Sequence, residues 1–129
     1  MHETIRISRA LYLQLLRRLR YRENREFGGL LRLEDGEITD FYSDERGEGT
    51  PESYTPCRED MERMLRTWQT QGAAGCFVHS HPPGRGISRR DRAFAEAYLE
   101  HNKLAGPLLF FILIDTALCC YAISAGRID

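Results

Sequence analysis

The sequence has no long hydrophobic run, no strong net charge and no segment that resembles an export signal. Its most apolar stretch, Leu108 to Ile114, is far too short to cross a bilayer. The first residues include an acid and no apolar stretch of signal-peptide length. We therefore expect a cytoplasmic protein without a membrane anchor. The formal net charge of -1 gives no reason to expect nucleic acid or an anionic membrane as a partner.

The cysteines do not form a pattern that is typical of a site. None of the four belongs to a C-x-x-C pair, and the adjacent Cys119 and Cys120 would project to opposite faces of a strand. We therefore expect neither a cysteine-based zinc site nor a disulfide framework. Small buried residues in a reducing compartment are the expected interpretation.

The size and composition of the chain are those of one folded globular domain. Its 129 residues suit a single hydrophobic core, and 42% of them are hydrophobic while 29% are charged. Predicted strands and helices alternate without a regular βαβ rhythm. We therefore expect one domain, residues 1–129, with an α/β (α+β) fold in which helices pack on the faces of a mixed sheet.

Hydrophobic periodicity and turn residues give the approximate order of the elements. Apolar residues at helical spacing predict three helices, and the third presents Phe94, Ala97, Tyr98 and His101 on one face. His101 is better explained there as a structural histidine than as a ligand. The predicted elements are a strand at 5–8, a helix ending near 22, a hairpin at 27–33 and 38–42, a surface loop at 43–56, a helix with its apolar face at 61–68 that stops at Gly72, a strand at 74–81, a helix from 88, and strands at 108–114 and 119–124.

Two histidines near the end of a predicted strand are the most informative residues for function. Side chains two apart in a strand project to the same side, so His79 and His81 can direct their imidazoles at one point. Catalytic zinc usually takes three protein nitrogens or oxygens and leaves a fourth position for water. Asp91 follows across a loop with two glycines and can be the third ligand. This set predicts one zinc ion in an open, reactive site.

The segment from Ser88 to Asp91 has a second explanation. A serine followed three residues later by an acid is the pattern of a helix capping box. The two interpretations are compatible, because an acid in the first turn of a helix can still present an oxygen to a metal ion.

Taken together, these residues resemble the signature of the JAMM (MPN+) metalloproteases. That signature is an upstream glutamate, then His-Ser/Thr-His-Pro, a short spacer and Ser-x-x-Asp. Residues His79 to Pro82 match it, as do Ser88 and Asp91, and Glu26 lies a few residues before a Gly-Leu-Leu segment. The order of predicted elements is similar to that of the family over most of the chain. One departure is the spacer, which has six residues where the family usually has seven, and we expect its glycines to absorb the change.

The resemblance implies a JAMM/MPN-like fold, similar in outline to cytidine deaminases, and a role for each residue. Zinc would be held by His79, His81 and Asp91, Glu26 would be the general base, and the Ser88 hydroxyl would stabilise an oxyanion. The reaction would be hydrolysis of a peptide or isopeptide bond after the C-terminal tail of a ubiquitin-like or sulfur-carrier protein. The loop at 50–56 would border the groove for that tail.

Some choices stay open at this point. Glu23 is a rival for the general base, and neither the oligomeric state nor the need for a partner can be read from the sequence. The connection at 102–107 is too short for the insertion of polyubiquitin-specific members, which favours a small prokaryote-like enzyme.

Other functional classes are weaker alternatives. A non-catalytic binding or scaffold module of the same fold typically loses the zinc ligands. A zinc nucleobase deaminase needs His-x-Glu and Pro-Cys-x-x-Cys, which this sequence lacks. A DNA-repair-related domain would use the arginine-rich first helix, with arginines at positions 17, 18, 20, 22 and 25.

Overall fold

A curled six-stranded sheet with three helices is the core of the computed structural model, which describes residues 4–104 and 107–124. Two further short strands pair with each other beside it. Within the described ranges no helix is both long enough and apolar enough to span a membrane. The elements are β1 (Arg6–Ile7), α1 (Arg9–Leu19), β2 (Gly28–Glu34), β3 (Glu37–Ser43), β4 (Glu48–Gly49), β5 (Tyr54–Thr55), α2 (Arg58–Thr70), β6 (Ala74–His81), α3 (Arg89–His101), β7 (Leu108–Ile114) and β8 (Ala117–Ile123).

The sheet is mixed, with strand order β1-β3-β2-β6-β7-β8. The hairpin β2–β3 turns at Asp35 and Gly36, both of which have positive φ as a type I′ turn requires. Strand β6 lies between an antiparallel neighbour, β2, and a parallel one, β7. Its last residue, His81, pairs with Ile114 at the end of β7. The carboxyl ends of the parallel pair therefore meet at one edge, where sheets of this kind commonly bind ligands.

Helices cover both faces of the sheet. Leu15 and Leu19 of α1 are fully buried against one face, together with Val78 and Phe111. The other face packs against Trp68 of α2 and the buried side of α3. Full burial of one such side chain contributes roughly 1.5–3 kcal/mol, so the two clusters hold the sheet between the helices. The expected α+β class, with helices on the faces of a mixed sheet, is confirmed.

The first helix is shorter than predicted. It begins after Ser8, whose side chain accepts a hydrogen bond from Leu11 N at 3.1 Å, so this residue caps the helix instead of ending a strand. It ends at Leu19, the last leucine to reach the core. Arg20 already has extended backbone, and the chain then turns through Glu23 and Asn24, which have positive φ. The helix therefore ends before the predicted end near Arg22, because the chain turns away from the sheet once Leu19 is buried.

Two other predictions need correction. The segment at 43–56, expected to be a loop, contains the short hairpin of β4 and β5. The face of α3 that carries Phe94 and His101 is largely exposed and lines an open groove against α2, while Ala95 and Leu99 are the residues that α3 buries. His101 is therefore exposed near the end of α3.

Candidate metal centre

The end of β6 directs two buried imidazoles toward one point. His79 and His81 are 6% and 5% exposed, and their Nε2 atoms are 3.0 Å apart. His79 pairs with Gly28 across the β2–β6 ladder, which fixes its height in the sheet. The two-residue spacing on a strand thus brings both nitrogens together, as the sequence predicted.

The first turn of α3 contributes a carboxylate to the same point. Asp91 Oδ1 is 3.0 Å from His79 Nε2, and Asp91 Oδ2 is 3.2 Å from His81 Nε2. The capping box is present as well, since Ser88 N donates to Asp91 Oδ2 at 3.0 Å and Asp91 N donates to Ser88 Oγ at 3.1 Å. The Asp91 carboxylate therefore takes part in the capping box and also lies beside the two imidazoles.

The donor set fits a zinc ion. Tetrahedral zinc with bonds of about 2.0–2.1 Å separates its ligand atoms by about 3.3 Å. The two imidazole nitrogens are 3.0 Å apart, and each lies close to a different Asp91 oxygen, His79 at 3.0 Å from Oδ1 and His81 at 3.2 Å from Oδ2; these separations are near that value. His81 Nδ1 donates to Gly86 O at 2.9 Å, so in the neutral imidazole it is Nε2 that carries the lone pair a metal needs.

Burial and hydrogen bonds set the protonation of the three ligands. Burial lowers the pKa of His79, which favours its neutral, metal-binding form. Burial opposes charge on Asp91 too, but hydrogen bonds from His79 and His81 outweigh it and hold the pKa of Asp91 well below its usual range. Burial also acts to lower the pKa of His81, and the neighbouring Asp91 and Glu26 carboxylates more than reverse this.

Glu26 lies just beyond this triangle. It is 3% exposed, and its two carboxylate oxygens are each 3.9 Å from one of the imidazole nitrogens. Asp91 is closer than Glu26 to both histidines, but Glu26, His79 and His81 also lie close enough together to form a group of possible metal ligands. Burial, aided by the Asp91 charge and opposed by His81, raises the pKa of Glu26 to about 7. Glu23, the rival, is exposed in a turn.

Ser88 lines the cleft that opens over this centre. The cleft has a volume of about 370 Å³, and Glu26, His79 and Asp91 line it too. The Ser88 hydroxyl accepts from Asp91 N, so its own hydrogen is free to be donated. Gly84 adopts a φ of +85° within the six-residue spacer, a conformation that only glycine takes easily.

The β4–β5 segment forms another wall of the cleft. Residues 52–56 line it, which agrees with the expected border at 50–56. Apolar residues, among them Phe77, Phe94 and Phe110, line it as well, together with Arg58 and Arg90. The cleft therefore combines charged, titratable groups with apolar surface.

The sequence did not reveal the contact between Tyr54 and Asp44 beside this centre. The Tyr54 ring lies 5.9 Å from the His79 ring, and its hydroxyl donates to the buried Asp44 carboxylate. Burial, then the hydrogen bond to Asp44, raises the pKa of Tyr54, which keeps the hydroxyl protonated. No spacing signal connects an aspartate with a tyrosine ten residues later in an irregular segment.

A second group of possible metal ligands lies near this pair but is less suitable. Asp44, Cys57 and Asp60 are close together. Arg46 donates to both oxygens of Asp60, at 2.7 and 2.6 Å, so an arginine already neutralises this carboxylate. All four cysteines are free, but only Cys76 is buried and Cys120 is exposed, so the expectation of buried cysteines holds for Cys76 alone.

Comparisons with known proteins bear on the fold and leave the function open. No family model matches the chain, and no curated protein matches it. Among solved structures it is similar to the solution structure of protein DSY2949 from Desulfitobacterium hafniense, with a TM-score of 0.63 and 14% sequence identity. The alignment covers 97% of this chain and 94% of that one. The chain therefore shares its overall fold with that protein.

Proposed function

We propose that the protein is a zinc-dependent peptidase or isopeptidase of the JAMM type. The observation that carries this proposal is the approach of the Asp91 carboxylate to both imidazoles of His79 and His81, with the Glu26 carboxylate 3.9 Å from both imidazoles, beside a cleft. Zinc held by His79, His81 and Asp91 would activate a water molecule and polarise the carbonyl of the scissile bond.

The protein residues supply the proton transfers and the orientation. Glu26, whose carboxylate oxygens lie 3.9 Å from the two imidazoles, can accept a proton from the attacking water and return it to the leaving amine. The free hydrogen of the Ser88 hydroxyl can be donated to the oxygen on which negative charge develops. Burial of the histidines and Asp91 excludes bulk water from the polar end of the cleft.

The proposed substrate is the C-terminal tail of a ubiquitin-like or sulfur-carrier protein. This part of the proposal rests on the sequence resemblance and on the size of the cleft, which suits an extended tail with small residues. We place the activity in the cytoplasm, where four free cysteines would stay reduced.

Metal content is the first test. We expect about one zinc ion per wild-type chain by elemental analysis, because the ligand set is that of a single zinc site. His81→Ala should lose the metal, while His101→Ala should keep it, since His101 is exposed near the end of α3. Absence of zinc from the wild-type protein reconstituted with zinc would contradict the proposal.

Cleavage is the second test. Zinc-loaded protein should hydrolyse a ubiquitin-like domain fused to a reporter after Gly-Gly, and Glu26→Gln should retain zinc but lose at least about 10²-fold in rate. Full activity of Glu26→Gln would remove Glu26 from its assigned role. Zinc binding without any cleavage would favour the scaffold alternative, and salt-sensitive DNA affinity would favour the DNA-repair-related one.

A further inference from the structure

Tyr54 connects the metal centre to a buried carboxylate. Its ring packs directly against Gly28, where a side chain would collide with it, and lies next to the His79 ring. Gly28 and His79 are ladder partners, so the Tyr54 ring lies over the point where β2 and β6 meet. The hydroxyl at the far end of the ring donates to Asp44 Oδ2.

Asp44 joins three separate elements through short bonds. Its Oδ2 also accepts from Cys57 N, at the start of α2, at 2.8 Å. Its backbone N donates to Gly28 O at 2.9 Å. Asp44 is 7% exposed, and within the described part of the chain its Oδ1 has no hydrogen-bond partner. Such burial is costly, so stability alone does not explain an aspartate here.

The β4–β5 hairpin, which contains Tyr54, also contacts the backbone of Glu26. Glu26 N donates to Thr50 O at 3.0 Å. Gly49 lies directly against the Glu26 carbonyl, with no space for a side chain between them. The position of Glu26 over the two histidines therefore depends on where the hairpin lies, and the hairpin is fastened at Tyr54.

We propose that Asp44 and Tyr54 are positioning residues, which fix the β4–β5 hairpin so that Glu26 and His79 keep their places relative to each other. The inference rests on the proposed function, because it assigns the pair a role in the reaction of that site. Tyr54 would affect the reaction through the positions of Glu26 and His79. Loss of the Tyr54–Asp44 bond should therefore misplace the base while the zinc ligands and the cleft walls remain.

The test is Tyr54→Phe, which removes one hydroxyl and keeps the ring. We expect kcat to fall about tenfold, because small displacements of a catalytic group are costly, with KM changed less than about twofold and zinc content unchanged. Tyr12→Phe is the matched control. Its hydroxyl donates to Thr116 O from α1, which packs on the other face of the sheet, so kcat should not change.

A readout that does not need activity separates this inference from the proposed function. Amide exchange of Glu26, whose N–H is bonded to Thr50 O, should accelerate about tenfold in Tyr54→Phe as the hairpin loosens. Ser80 N, bonded to Phe27 O at 2.8 Å, is the internal control and should not change. If the protein cleaves nothing but the Glu26 amide responds, the proposed function fails while the fastening of the hairpin stands.

The double variant Tyr54→Phe with Asp44→Asn tests whether the two residues act together. If both residues act through one bond, the double variant should be no slower than the more affected single variant. An unchanged kcat in Tyr54→Phe, an equal loss in Tyr12→Phe, or equal acceleration of the Glu26 and Ser80 amides would each overturn the inference.

Discussion

The buried carboxylate of Glu26 should make the metal-free protein less stable as the pH rises. Its pKa is raised from 4.5 to about 7, so the folded chain binds this proton more tightly than the unfolded chain does. Each pKa unit corresponds to about 1.4 kcal/mol, and the contribution to the free energy of unfolding is therefore about 3 kcal/mol at most. This contribution is present below pH 4.5 and is lost as the pH rises to about 7.

Glu26→Gln should remove the loss of stability that accompanies the rise in pH. Gln has nearly the same shape and no charge, so the variant and the wild type should have similar stabilities near pH 4.5, and the variant should be more stable by up to about 3 kcal/mol at pH 8. The assay is urea denaturation of both proteins in the presence of a chelator, at several pH values. The metal must be absent, because its charge would favour the ionised carboxylate.

The matched control is Glu96→Gln, which changes an exposed glutamate of α3. This substitution removes no buried charge and should give no such divergence from the wild type. A stability difference between Glu26→Gln and the wild type that does not change with pH would refute the reasoning. So would a wild type that gains stability over the variant as the pH rises.

Two further predictions concern the cap of α3 and a buried carboxylate away from the centre. Ser88→Ala should lower kcat by about 10²–10³-fold and the free energy of unfolding by about 1 kcal/mol. Ser8→Ala, which removes a similar cap from α1, should show only the loss of stability. Equal losses of activity in steady-state assays of the two variants would contradict the role of Ser88. Hydrogen bonds from Arg46, opposed by burial, hold the pKa of Asp60 below its ordinary value of 3.8. The ionised Asp60 carboxylate therefore stabilises the folded chain above that pH, and this stabilisation is lost as the pH falls below it. Arg46→Met should therefore be less stable than the wild type at pH 7 in urea denaturation, with a difference that shrinks below pH 4; a constant difference would exclude this pairing.

The sequence predicts best those parts of the fold that local signals determine. Strands β6 and β7 have the bounds that were predicted for them, because each is an apolar run bounded by turn residues. The positions of His79, His81 and Asp91 relative to one another follow from strand alternation and a helix cap, which are also local. The packing of α3 against β7 and β8 then brings Asp91 to the two histidines.

Parts that depend on distant packing were not predictable in this way. The end of α1 is set by where Leu19 meets the sheet, and the β4–β5 hairpin is held by Tyr54, Asp44 and the backbone of Glu26. These contacts join segments whose individual sequences read as a helix flank and a polar loop. Propensity could not identify them, because tertiary contacts decide the conformation there.

The three donor atoms of the metal centre all come from the single stretch between His79 and Asp91. Closing so short a loop loses little chain entropy, and each half is already oriented by its own strand or helix turn. Metal binding would therefore draw mainly on local order, without gathering distant parts of the chain. If the site holds zinc as proposed, removal of the metal should loosen the start of α3 and the loop before it, while the six-stranded sheet stays folded.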